Sequence, residues 1–127
     1  MSSLLYQRLA TLLGACENCR KSGNQEWLDK HTGHLDQLVR DHLPGGSGFD
    51  SGTRLDDQST SERLVFNTSF HHMHESGMYD GWTDHTVVVR PSLPFGFTLR
   101  VTGRDRNDIK DYIGEMFDQA LRTTITD

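Results

Sequence analysis

From the amino end, apolar residues first recur at three- and four-residue steps: Leu5, Leu9, Leu12, Cys16 and Cys19, widened by Leu4, Tyr6 and Leu13. That period is one face of a helix and predicts one over 3–20. "KSGN" interrupts it. Ser22 then stands where it can cap a second helix, with Gln25 as its capping-box partner. The second helix is expected to reach about Leu43 and to bury Trp27, Leu28, Leu35, Leu38 and Val39, and "LPGG" ends it. Gly33 inside it costs about 1 kcal/mol relative to alanine.

The period then changes. "GGSGFDSGTRLDDQST", 45–60, carries little apolar content and is expected to be a long loop of the functional or mobile kind. From Leu64 the chain alternates, with Leu64, Phe66, Thr68 and Phe70 against Val65, Asn67, Ser69 and His71, which is the two-residue period of a strand. "ESGMYDG" reads as a hairpin turn and "WTDHTVVVRP" as the returning strand, ended by Pro91. In "FTLRVTG", Phe97, Leu99 and Val101 face one way and Thr98, Arg100 and Thr102 the other. A closing helix carries Ile109, Tyr112, Ile113, Met116, Phe117, Ala120 and Leu121 on one stripe, with Asn107 as the best N-cap, Asp105 second, and Asp108 in the first turn. The expected fold is α+β: two N-terminal helices, a three-stranded antiparallel sheet and a C-terminal helix packed on the sheet. It forms one domain over 1–127, with a helical part at 1–43, a glycine-rich loop at 44–61 and a ββ-β-α part at 62–127.

Composition narrows the function. Apolar residues make up 34% of the 127, so the core is modest and oligomerisation would help to bury apolar faces. A net charge of −5 argues against duplex nucleic acid and anionic membranes, but not against a small anion held by local arginines. No apolar run reaches membrane-spanning length and no leader-like segment follows the first residue, so the chain reads as cytosolic.

Candidate chemistry collects in four places. "FHHMHESGMYDGWTDH" gathers histidines and carboxylates. A metal reading takes His71 or His72 with His74, Glu75, Asp80, Asp84 or His85, for zinc, iron or manganese. Strand alternation separates adjacent histidines, however, and hydrogen-bonded or solvated histidines are the ordinary alternative. "CENC" at Cys16–Cys19 lies on the apolar stripe of the first helix, where a buried cysteine pair is the ordinary reading and a zinc site with His31, His34 or His42 the sharper one. Tyr79 and Trp82 either cover the sheet edge or stack a flat ligand. "TGRDRND" leads from a strand through Arg104 and Arg106 to a helix N-terminus, a junction that attracts anions, with Arg100, Arg90 and the loop's Arg54 nearby; Asp105 and Asp108 are the competing partners. No nucleophile motif is present, and no cofactor is expected.

"SGNQEW", "LPGGSGFDSGT", "LVFNTSFHHM", "YDGWTDH" and "GRDRNDIKDYI" resemble a widespread group of small phage and prophage proteins of unassigned function, over about Cys19 to Leu121. In size and layout the chain is also similar to the Thoeris anti-defence sponges, which sequester cyclic nucleotide signals as oligomers; no binding residue is carried over from them. The resemblance implies a phage-encoded, non-enzymatic anti-defence protein acting in the host cytoplasm. On that reading Arg54, Arg100, Arg104 and Arg106 hold phosphate beside Asn107. Tyr79, Trp82 or Phe97 stacks a base, and a second subunit completes the site. The alternatives are a metal-dependent hydrolase built on the His71–His85 cluster, and a protein-binding inhibitor of a host defence complex.

Overall fold

The structure is a computed structural model that describes residues 2–44, 52–73, 79–92, 96–104 and 107–126, with backbone alone at 2, 70–73 and 79–83. The order is β1 (Ser2–Leu4), α1 (Leu5–Ser22), α2 (Gln25–His42), β2 (Arg54–Leu55), β3 (Leu64–Met73), β4 (Tyr79–Pro91), β5 (Phe97–Gly103), α3 (Asn107–Leu121) and β6 (Thr124–Thr126). The fold is α+β and the strands pair antiparallel, as expected. The described strands form two sheets, though, rather than one of three strands: β2-β3-β4-β5, and a clip of β1 on β6. The clip ties the two ends of the described chain together, and the Leu5 amide extends it by donating to the Thr123 carbonyl at 2.8 Å.

One dipeptide both stops α1 and starts α2. Gly23 adopts φ 71°, the left-handed conformation that glycine takes without a Cβ penalty, and the Asn24 amide donates back to the Cys19 carbonyl at 2.9 Å. The Asn24 side chain then accepts from the Trp27 amide at 3.3 Å, so Asn24 is the cap of α2. The Ser22 cap expected from sequence is thereby corrected. Ser22 is the last residue of α1 and its hydroxyl donates to the Cys19 carbonyl. Asn107 is likewise the first residue of α3 itself; the cap position before it and Asp105 lie outside the described residues.

The core fills the space between the helices and one face of the larger sheet. Leu5, Leu9, Leu12 and Cys16 of α1, Leu35 and Val39 of α2, and Ile113, Phe117 and Leu121 of α3 meet Leu64, Phe66, Val87 and Val89 of the strands. Phe66 and Phe117 lie with ring centroids 5.8 Å apart. Trp27, at the edge of the α2 stripe, is 50% exposed rather than buried, and Tyr112 is 60% exposed.

The segment expected to be a loop does contain structure. β2 pairs with β3 through Arg54–Asn67 and Leu55–Phe66. Past Leu55 the chain leaves the strand, yet Ser59 stands in for it: its hydroxyl accepts from the Val65 amide at 2.9 Å and donates to the Val65 carbonyl at 3.1 Å. Thr53, before β2, is buried and bonds both the Pro44 carbonyl and the Thr68 hydroxyl. Residues 45–51 of that segment lie outside the described residues.

Candidate functional site

Register fixes which side chains share a face. β3 and β4 pair as Asn67–Thr86 and Ser69–Asp84, and β4 and β5 as Thr86–Thr102, Val88–Arg100 and Arg90–Thr98. The intervening residues, Phe66, Thr68, His85, Val87 and Val89, are buried on the helix side. The other face therefore presents Arg54, Asn67, Ser69, Asp84, Thr86, Arg90, Thr98, Arg100 and Thr102, all exposed or half-buried, together with half-buried Val88 and buried Val65. It is a polar, arginine-bearing sheet face on a chain whose net charge is −5.

On the β2–β3–β4 part of the sheet lies an open depression of about 390 Å³, lined by Arg54, Asn67, Ser69, Asp84 and Thr86 of this face and also by Gly52 and the inward-facing Thr68 and His85. The Ser69 hydroxyl donates to Asp84 at 2.5 Å. Asn67 donates to Asp56 at 2.8 Å, and the Gln58 amide also donates to that carboxylate. The Gln58 amide first, then Asn67, with Arg63 adding charge, hold the Asp56 carboxyl below the ordinary carboxylate range. Asp56 thus has its own donors. Arg54, Arg90, Arg100 and Arg104 form no ion pair among the described residues. Together the depression offers one arginine, one carboxylate, three hydroxyls, an amide and the His85 imidazole.

The inner end of the same strands is also polar. Thr53, Thr68 and His85 lie side by side, each at most 6% exposed. His85 lies against Gly103, its cross-strand partner: a Cβ at Gly103 would stand 2.4 Å from His85 Cδ2 and 3.1 Å from Nε2. Glycine is required there by the imidazole, since its φ is not in the left-handed region.

The residues singled out from sequence fall into separate places. Arg54 lines the central depression. Arg100 and Asn107 instead line a groove between β5 and α3. Arg104 is exposed, directly after the Gly103–His85 pairing, and Arg106 lies outside the described residues. Phe97 is corrected outright. It is 5% exposed, packed on Tyr6 at 4.8 Å between centroids and covered by the Arg122 guanidinium at 4.3 Å, so it has no free face for a base. Tyr79, expected in the turn, is a strand residue paired with Met73, and Trp82 lies in the strand as expected, paired with His71; nothing is described of either side chain.

For the metal alternative, Asp84 and His85 project to opposite faces, one exposed and one buried, and so do not converge on one ion. His71 and His72 pair with Trp82 and Gly81, and His74 lies outside the described residues. Among the described residues no three metal-ligating side chains cluster. Cys16 is buried in the core and Cys19 half-buried, both as free thiols.

Asn67, Ser69 and Thr86 were not singled out from sequence. The alternation placed Asn67 and Ser69 on one face, but joining them to Asp84 needed the hairpin register. Comparison with family models, curated proteins and solved structures finds no match to this chain. Among the described residues no helix is long and apolar enough to cross a membrane.

Proposed function

We propose that this protein is a non-enzymatic, phage-encoded anti-defence protein that sequesters a small nucleotide-like anion on the outer face of its sheet, acting as a homo-oligomer. The observation that carries the ligand reading is Arg54, an exposed arginine with no acidic partner among the described residues, on the wall of a depression of nucleotide size. Ligand pockets begin at about 300 Å³. Arg54 supplies charge-assisted hydrogen bonds to a phosphate. Arg104 is the further exposed cation of the reading, whereas Arg100 lines the separate groove between β5 and α3.

Asp84 decides the ligand class. A carboxylate in the depression opposes a bare phosphate or sulfate, and favours a ligand that pairs its anion with hydrogen-bond donors, as a ribose hydroxyl or a base amino group does. Arg54 and Asp84 stand two strands apart, roughly 10 Å across the sheet. That spacing suits a nucleotide spanning from phosphate to sugar or base.

The test is calorimetry with cyclic di- and trinucleotides and cyclic ADP-ribose isomers, on the wild type and on Arg54→Ala. A hydrogen bond to a charged group contributes about 1.5–3 kcal/mol. Arg54→Ala is therefore expected to weaken binding by about tenfold to a hundredfold. No heat with any of these compounds removes the reading.

A further inference from the structure

The four-stranded sheet has two unlike edges. The β2 edge is two residues long, and beyond it the Ser59 hydroxyl closes the Val65 amide and carbonyl. The β5 edge is seven residues long, from Phe97 to Gly103, and contains no proline. Its pairing with β4 keeps one register from His85–Gly103 to Pro91–Phe97. No described strand pairs with its other side. A long regular edge leaves alternate N–H and C=O groups open and templates another strand.

What lies beside that edge points to the occupant. A groove of about 600 Å³ runs between β5 and α3. Gly114 forms its floor: a Cβ there would already touch Leu99 Cδ1 at 3.4 Å and Val101 Cγ2 at 3.5 Å. Four charged residues line it, Arg100 and Lys110 against Asp111 and Glu115. On the α3 side of the edge Lys110, Asp111 and Glu115 carry both signs, which lets a two-fold interface pair opposite charges, since each side meets the same patch turned round.

We propose that a second copy of this chain docks here, pairing β5 with β5 antiparallel about a two-fold axis perpendicular to the sheet. The α3 acids of each copy face Lys110 of the other. The two sheets join into one of eight strands with both arginine-bearing faces on the same side. Arg100 stands off the axis, because like charges directly opposite are destabilising. The inference supplies the surface for the oligomer in the functional reading. It does not rest on the ligand, because the test is made without one.

Sedimentation equilibrium of the full chain, with no nucleotide present, decides it. The wild type is expected to dimerise. Lys110→Glu and Glu115→Lys alone each place like charges across the axis and are expected to weaken the dimer tenfold or more, while the double reversal restores it. Glu115 is exposed and Lys110 half-buried, and circular dichroism checks that each variant keeps its helices. A wild type that stays monomeric at every concentration overturns the proposal. So does a dimer that neither single reversal weakens, since that dimer uses another surface, and so does a double reversal that fails to restore association.

Discussion

Gly103 offers the sharpest test of the packing beneath the candidate site. Alanine at this position gains from strand propensity, on a scale that spans about 1 kcal/mol. The structure points the other way. The new Cβ would stand 2.4 Å from His85 Cδ2 and 3.2 Å from the Asp84 carbonyl oxygen. Carbon–carbon contacts settle near 3.5–4.0 Å, so the first distance is short by roughly 1 Å or more. His85 is 2% exposed and borders the depression, so relief requires its ring to turn out of its packed position or β4 and β5 to separate. Overpacking of this kind costs about 1–3 kcal/mol. A cost of about 2 kcal/mol, with a denaturant slope of about 2 kcal/mol per molar, lowers the urea midpoint by about 1 M. The assay is urea unfolding of four proteins: wild type, Gly103→Ala, His85→Ala and the double variant. His85→Ala destabilises by itself but removes the obstacle, so Gly103→Ala on that background is expected to be nearly neutral, with a coupling of about 1 kcal/mol or more. Equal penalties for Gly103→Ala on both backgrounds would falsify the contact, and a stabilising Gly103→Ala in the wild type would show that strand propensity wins.

Three further outcomes follow from other parts of the fold. Phe117→Ala, at a position with no exposure and against Phe66, is expected to lower stability by about 3–5 kcal/mol in the same assay. Gly23→Ala is expected to cost about 1–2 kcal/mol from backbone conformation alone, since φ is 71° and nothing lies within 4 Å of the added Cβ; a neutral result there would contradict the left-handed cap. The Asp56 carboxyl, held low in the folded state, contributes stability that is present above its unfolded pKa and lost as pH falls through the lower folded value. An NMR titration should find it below the ordinary aspartate value. Asn67→Ala should raise it only part of the way, because the Gln58 amide is the larger cause.

Much of the scaffold was legible because it rests on long periodic segments. The stripe of α1 buries Leu5, Leu9, Leu12 and Cys16 as its spacing implied, and the alternation from Leu64 puts Leu64, Phe66 and Thr68 inside. The elements that escaped have no period to read. β1 and β6 are three residues each and exist through pairing across the whole chain. β2 is two residues in a glycine-rich stretch, held by β3. Trp27 and Tyr112 were misplaced for a different reason: apolar character marks a stripe, but its edges depend on what the neighbouring element reaches. The site was legible in part. Arg54 was singled out for its glycine-rich surroundings and lies at the depression. Ser69 and Asp84 meet only through the register of β3 on β4, which local composition does not specify. Phe97 drew attention as an aromatic near arginines, although its alternation with Leu99 and Val101 already pointed it inward.

The central claim is that a nucleotide-like anion is held on the outer sheet face around Arg54 and Asp84. Backbone-amide NMR during titration with a cyclic dinucleotide or a cyclic ADP-ribose isomer tests it most directly. The expected result is saturable shifts concentrated at Arg54, Asn67, Ser69, Asp84 and Thr86, and lost in Arg54→Ala. Shifts confined to α2 or to the β1–β6 clip, or a spectrum that no such compound changes, would contradict it.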